Sequence, residues 1–263
     1  MQLEMLISSV NQAPEELLNL INAQCDVVLV NQCDRDGQEE YTTESYKRRV
    51  FHRNERGVGR SRNLAIANST GDILLFSDED IRYRDGYAKD VLDEFAKHPE
   101  ADVILFNVKV CPERRTYWNE GFKRVRWYNC GRYPAYSIAL RREALLKSGV
   151  RYSELFGGGA KYSNGEDSLF LKQCADKGLR MYATEVELGE EEPRESTWFH
   201  GFTEKFFFDR GVLFAFLYGR MAWIWALRFV FTKKDMFRGE IGRKQAYGLI
   251  RDGIKQGKKE KKM

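Results

Sequence analysis

Apolar runs alternating with helix-type segments constrain the fold of this chain more than any other feature of its sequence. Leu3–Ser9 reads as a strand, and Pro14-Glu15-Glu16-Leu17-Leu18 opens a helix with proline in its first turn and acids at its positive end. Asp26–Val30, rich in valine, is a second strand, and Arg48–Phe51 a short third. Arg60–Asn68 then reads as helix, Asp72–Phe76 as strand, Asp85–Lys97 as helix and Asp102–Val110 as strand. This order predicts an α/β fold: a mostly parallel sheet with helices on both faces. In such sheets ligands bind at the carboxyl ends of the strands.

One strand end stands out. The buried-type run in 72-DILLFSDEDI-81 finishes in Asp78, Glu79 and Asp80, three acids that repel one another unless something positive is bound. In an extended segment Asp78 and Asp80 point the same way and Glu79 the other. Paired carboxylates with open coordination positions suit a hard divalent ion that takes phosphate oxygens as further ligands. Capping of the following helix suits the same acids, so the cluster alone leaves both readings open.

The second half is less regular. Cys111–Asn129 mixes Trp118, Trp127, two tyrosines and several cations, as a substrate-facing excursion would. Tyr136–Leu140 reads as a strand and Arg142–Lys147 as a short helix. Gly157-Gly158-Gly159 reads as a flexible loop before a helix over 165-GEDSLFLKQCADKG-178, which Gly178 stops. Asp167 sits where it would cap that helix. An acidic loop, Glu187–Glu195, precedes His200 in 196-STWFHGF-202, and a lone histidine commonly has a structural role.

Phe206–Phe231 is strongly apolar, but Asp209, Arg210, Arg220 and Arg228 interrupt it, and its longest uncharged run, Gly211–Gly219, is nine residues. A spanning helix needs about 20 apolar residues. Helices lying in a membrane interface fit better, with Tyr218, Trp223 and Trp225 as anchors. From Thr232 onward eleven Lys/Arg stand against four Asp/Glu, a local +7 in a chain whose formal net charge is +4. This basic run reads as a solvated tail that would strengthen binding to an anionic leaflet. No nucleic-acid-binding motif accompanies it, so no nucleic-acid partner is expected. Five cysteines without C-x-x-C spacing suggest neither a zinc site nor a disulfide framework. With no visible export signal, the expected location is cytoplasmic, peripheral at the inner face of the membrane.

The stretch 56-RGVGRSRNLAIANSTGDILLFSDEDI-81 resembles the donor-binding half of family 2 glycosyltransferases with the GT-A fold. Those enzymes show a Gly-x-x-x-(Ala/Ser)-Arg-Asn run on a helix, then Thr-Gly, a hydrophobic strand and an acidic D-x-D. Downstream, 157-GGGAKYSNGEDSLFL-171 is similar to the family's Gly-rich loop followed by Glu-Asp on a helix. Together the two stretches place the resemblance over roughly residues 1–185. The chain departs from the family after its second strand, where Asn31-Gln32-Cys33-Asp34-Arg35-Asp36-Gly37 replaces an Asp-Asp-Gly-Ser type turn.

The resemblance implies a GT-A domain over 1–200, with a nucleotide-sugar half (1–110) and an acceptor half (111–200); the interface helices (201–231) and the basic tail (232–263) follow it on composition and charge. It implies a metal-dependent inverting transfer from a nucleotide-sugar to a glycan or lipid-linked acceptor, in surface polysaccharide synthesis. Asp80 and Asp78 would hold Mn²⁺ or Mg²⁺, with His200 completing the site. Ser9, Asp34, Arg62 and Asp78 would contact the donor, although Asp34 equally suits a turn cap and Arg62 an exposed helix surface. Asp167 would be the general base, with Glu166 beside it. Two other readings stay open on sequence: a nucleotidyltransferase, although no Gly-rich phosphate loop follows the first strand, and a non-catalytic membrane-peripheral adaptor on the same fold.

Overall fold

The structure, a computed structural model, describes residues 1–43, 45–112, 114–192, 201–237 and 241–261. In chain order the elements are β1 (Leu3–Val10), α1 (Pro14–Ile21), β2 (Asp26–Gln32), β3 (Gly37–Thr42), β4 (Lys47–Arg53), α2 (Val58–Ala67), β5 (Ile73–Asp78), β6 (Ile81–Tyr83) and α3 (Tyr87–Lys97). They continue with β7 (Val103–Lys109), β8 (Lys123–Val125), β9 (Ile138–Arg141), α4 (Arg142–Ser148), α5 (Glu166–Asp176), β10 (Met181–Glu191), α6 (Glu204–Tyr218), α7 (Ala222–Thr232) and α8 (Arg243–Glu260).

The strands form one sheet in the order β3-β4-β2-β1-β5-β9-β7-β10-β6, with β8 also pairing β10. Strands β1, β2, β4, β5, β7 and β10 share a direction; β3, β6, β8 and β9 oppose it. The central strands are apolar on both sides because both faces are covered. Leu6, Val28, Leu74 and Phe76 face a core shared with α2 and α5. Met5, Ile7, Ile73 and Leu75 face the core under α1 and α3. Ser8 pairs in register with Asp78, so the polar ends of β1 and β5 emerge side by side.

Sequence patterning misses β3, β6, β8 and β10, of which β3 is a polar edge. Gln38, Glu39 and Glu40 of β3 are exposed, and the strand is held by backbone pairing to β4. The acidic run after residue 186 is no loop at its start, because Glu187–Glu191 ends β10 and pairs with β6 and β7.

The C-terminal region also departs from expectation. Helix α6 is buried nearly all round rather than lying in an interface. Its Val212, Leu213 and Leu217 pack on Phe156, Tyr162 and Leu169 of the sheet domain, so it belongs to the same packed body. The basic segment is not a free tail either: α8 crosses α6 with Ala246, Ile250 and Ile254 buried. Those residues recur at helical spacing, and the many lysines occupy the opposite face. The crossing is close. A Cβ on Gly253 would lie 2.0 Å from the Phe208 carbonyl oxygen, and one on Gly211 2.1 Å from that of Ile250.

Gly253→Val should therefore unseat α8 and cost more than the ~1–3 kcal/mol of ordinary overpacking. Thermal unfolding and limited proteolysis read this out. Gly248→Val, at a position with open space around it on the same helix, is the control; equal losses in both variants would show that close packing of α6 on α8 is not the cause.

Candidate active site

Three consecutive polar residues on α2 each find a partner on a different element. Ser61 donates to Ser8 Oγ on β1 at 2.9 Å. Asn63 exchanges two hydrogen bonds with the Tyr152 backbone, at 2.8 and 2.9 Å. Between them Arg62 is 3% exposed, far from the surface arginine that a helix position alone suggests. Helix α2 can lie this close to the 153–154 loop because residue 59 is glycine; a Cβ there would stand 2.2 Å from the Ser153 carbonyl oxygen.

Arg62 joins the two acidic motifs. Its Nη2 donates to Asp78 Oδ1 at 2.8 Å and its Nη1 to Asp167 Oδ1 at 2.7 Å, with Glu166 Oε1 3.5 Å away. The guanidinium also lies over the Tyr152 ring, 5.0 Å from its centroid. Burial opposes the charge, yet Asp167, Asp78 and Glu166 hold Arg62 protonated well above its usual range.

Asp167 is not the helix cap. Gly165 occupies that position with φ 110°, and Asp167 lies within the first turn of α5. Its Oδ2 accepts the Ala135 backbone N–H at 3.0 Å, and 19% of the side chain stays exposed. Burial drives its pKa upward, Arg62 pulls against it, and Glu166 and Asp78 add to the rise. Such a carboxylate holds a proton more readily than one in water. Each oxygen spends one lone pair on these contacts and keeps another free.

The Gly-rich loop is held by contacts to its surroundings. Val58 N donates to the Gly158 carbonyl at 3.0 Å, and Phe156 bridges to Tyr162. Helix α6 secures the other end: Asp209, 2% exposed, accepts from Ser163 N and Oγ, both at 2.9 Å, and from Lys205 at 2.6 Å.

At the end of β5 the chain turns, so the extended geometry expected for Asp78–Asp80 stops at Asp78. The acids do not cap a helix, since α3 begins at Tyr87 after Gly86. Glu79 accepts the Val10 backbone N–H at 2.8 Å. Asp80 is pushed up to about 7, by burial first and then by Asp78 and Glu191, with Arg114 opposing. Arg114 pairs with Glu191 at 2.8 Å. Among the described residues, no three His, Cys, Asp or Glu side chains converge as a ready-made ion cage. His200 lies outside the described residues.

Two donor candidates sit apart from this cluster. Ser9 is buried on the other face of β1, donating to Asn31 Oδ1 at 3.1 Å; Asn31 in turn ties down the Gln12 backbone. Its hydroxyl closes the β1–α1 turn. Asp34 stands exposed on the turn after β2, without joining the Arg62 cluster. Sequence reading missed Glu191, Arg114, Tyr152 and Ala135. Nothing in their local pattern marks them, because long-range folding alone brings them to the acids.

A cleft of about 240 Å³ is lined by Trp127, Tyr128, Gly131, Leu217, Tyr218 and Ser168, the residue after Asp167, among others; Asp167 is not part of its lining. Trp127 and Tyr128 are 41% and 55% exposed. A second cavity of about 350 Å³, between α1 and the β3–β4 hairpin, contains none of the candidate residues.

Arg62→Met should leave three carboxylates facing one another without a cation. Breaking a buried ionic cluster in this way costs about 3–5 kcal/mol. Chemical denaturation measures it, and a loss under 1 kcal/mol would mean that water already shields these acids.

Residues 7–150 match the family model for glycosyl transferase family 2. No curated protein sequence matches the chain. Among solved structures, the chain is similar to S. aureus TarS 1–349, with a TM-score of 0.63 and 14% identity over 97% of this chain and 81% of that one. TarS 1–349 in complex with UDP gives 0.63 and 15%, with the same coverage. The complex of TarS 1–349 with UDP-GlcNAc gives 0.59 and 16%, over 97% of this chain and 72% of that one. At such identities these structures speak to the fold alone. The family match spans more than half of the chain and contains both Arg62 and the acid cluster, so the chain belongs to glycosyl transferase family 2 and is a glycosyltransferase with the GT-A fold.

Proposed function

We propose that the chain transfers a sugar from a nucleoside diphosphate sugar to a glycan or lipid-linked acceptor, with inversion and with the help of a divalent cation, in surface polysaccharide synthesis. The observation that carries this reading is the Arg62 bridge, which holds an acid of the strand end, Asp78, and an acid of the acceptor half, Asp167, on one guanidinium. Donor and acceptor chemistry then meet at one point. The UDP and UDP-GlcNAc complexes of the TarS neighbours make a uridine donor the first to test.

In this reading Asp167 accepts the proton of the acceptor hydroxyl as its oxygen attacks the anomeric carbon, while the bond from that carbon to the β-phosphate oxygen breaks and the nucleoside diphosphate leaves. Arg62 fixes the carboxylate, and the Ala135 amide orients its second oxygen. The aromatic cleft beside Ser168 suits an acceptor sugar ring, since Trp127 and Tyr128 offer apolar faces with polar rims.

In this reading two carboxylates of the strand end supply the protein's share of a divalent-ion site. Asp80 and Asp78, with Glu191 nearby, gather three acids against Arg62 and Arg114, and Asp80 itself has no ion-pair partner among the described residues; burial first, and then Asp78 and Glu191, raises its pKa. Mn²⁺ or Mg²⁺ there would be held by one or two carboxylates plus substrate phosphates. The ion would stabilise negative charge on the departing diphosphate. His200 remains a candidate third ligand.

Calorimetry with UDP, with and without Mn²⁺, tests the donor side. Binding should require the ion and be lost in Asp80→Asn; metal-independent binding in that variant would remove Asp80 from the site. Asp167→Asn tests the acceptor side. It should bind UDP normally yet lose about 10²–10⁴-fold in transfer rate. Because the Asp167 pKa is raised, transfer by the unmodified enzyme should climb with pH from the acid side through neutrality, as the carboxylate gives up its proton. That limb should vanish from any residual activity of Asp167→Asn. An unchanged pH profile would exclude Asp167 as the base.

A further inference from the structure

Helix α7 buries one side and leaves the other bare. Ala222, Ala226 and Val230 face α6 and α8. Met221, Ile224, Leu227 and Phe231, spaced by three or four residues, form a stripe along the opposite side, exposed by 46%, 65%, 44% and 66%. Arg220, Arg228 and Lys233 are exposed along the same segment, and residues 219–233 contain no acid. Trp223 and Trp225 are half-buried at the margins, with the Arg228 guanidinium 5.9 Å from the Trp225 ring centroid.

We propose that this face of α7 docks into the interface of an anionic lipid bilayer. Charge decides the occupant: an apolar stripe bordered by cations without a compensating acid, and flanked by tryptophans, complements anionic headgroups above acyl chains. The helix lies in the surface and does not cross. Its eleven residues reach about 16 Å, half of a hydrocarbon core of about 30 Å. By length and composition, Glu204–Thr232 resembles a membrane span. However, α6 is committed to the protein core through Val212, Leu213 and the buried Asp209–Ser163 contact, and a 3-10 turn at Gly219–Met221 separates it from α7. The lysines of α8 are not needed as a tail, because that helix is part of the fold.

The docking face connects to the cleft. Trp225 stacks on Tyr218, with ring centroids 4.4 Å apart and planes 12° apart, and Tyr218 lines the cleft together with Ser168, the neighbour of Asp167. A bilayer against α7 is thus one aromatic pair away from the cleft that suits an acceptor.

Co-sedimentation of the full chain with phosphatidylcholine vesicles, and with vesicles containing phosphatidylglycerol, tests the proposal without donor, metal or acceptor, so its outcome is separate from that of the transferase assays. The protein should bind the anionic vesicles. The double variant Ile224→Asp/Phe231→Asp should lose about tenfold or more in partitioning, with unchanged circular dichroism and UDP binding. The double variant Arg228→Gln/Lys233→Gln should weaken binding to anionic vesicles only. Quenching of tryptophan emission by brominated lipid gives a second readout on the unmodified protein. Failure to bind anionic vesicles, or equal binding by the aspartate variant, would overturn the proposal. So would a dimer in sedimentation equilibrium that the aspartate variant dissolves, because a second copy would then be what covers the stripe.

Discussion

Everything near the candidate site depends on how one buried guanidinium is neutralised. Arg62 is almost fully removed from water, and an isolated charge in that position would cost far more than the fold can supply. Asp78 and Asp167, both within 2.8 Å, make it tolerable. The dependence is mutual, because three carboxylates gathered from β5 and the start of α5 would repel one another without it. The planar fork of donors lets one side chain serve acids from two directions, which a lysine's point charge would not do as well. The charge that stabilises this junction also aligns the two motifs that the chemistry needs.

Holding the arginine there requires backbone at close quarters. Gly59 lets α2 approach the loop after Tyr152, and Tyr152 covers the guanidinium while stacking on Phe170 of α5. Gly157 and Gly165 take left-handed conformations where a side chain would collide with Val58 or Leu213. The loop before Asp167 is therefore gripped from both ends, by α2 on one side and by α6 on the other. Helix α6, in turn, is locked by α8. Helices α6 and α8 consequently set the position of the acid proposed as base, and α7 leaves an apolar side exposed.

Much of this was legible in the sequence because the local signals were strong. Apolar runs at strand length, helix breaks at glycine and the order of the two motifs gave the sheet, its flanking helices and the acids at a strand end. What failed did so for nameable reasons. Polar edge strands such as β3 owe their pairing to a neighbour's backbone and carry no apolar period of their own. Gly157–Gly159 looks mobile in isolation because glycine permits many conformations, but packing selects one. The lysines of the last segment hid a helix whose buried side is built from alanine, glycine and isoleucine. Ser9 shares a strand end with the acids, yet the two-residue period of a strand turns its hydroxyl to the opposite face.

By itself, the sequence determined the class of fold, the family and the presence of a negative cluster at a strand terminus, since these follow from periodicity and from motifs read within short windows. Only the tertiary structure decided that Arg62 is buried, that Asp78 and Asp167 share it across a sequence separation of 89 residues, and that Glu191 crowds Asp80. The physical reason is one of range. Helix and strand preferences act over a few residues, whereas burial and charge pairing are settled by which distant segments the packed core brings into contact.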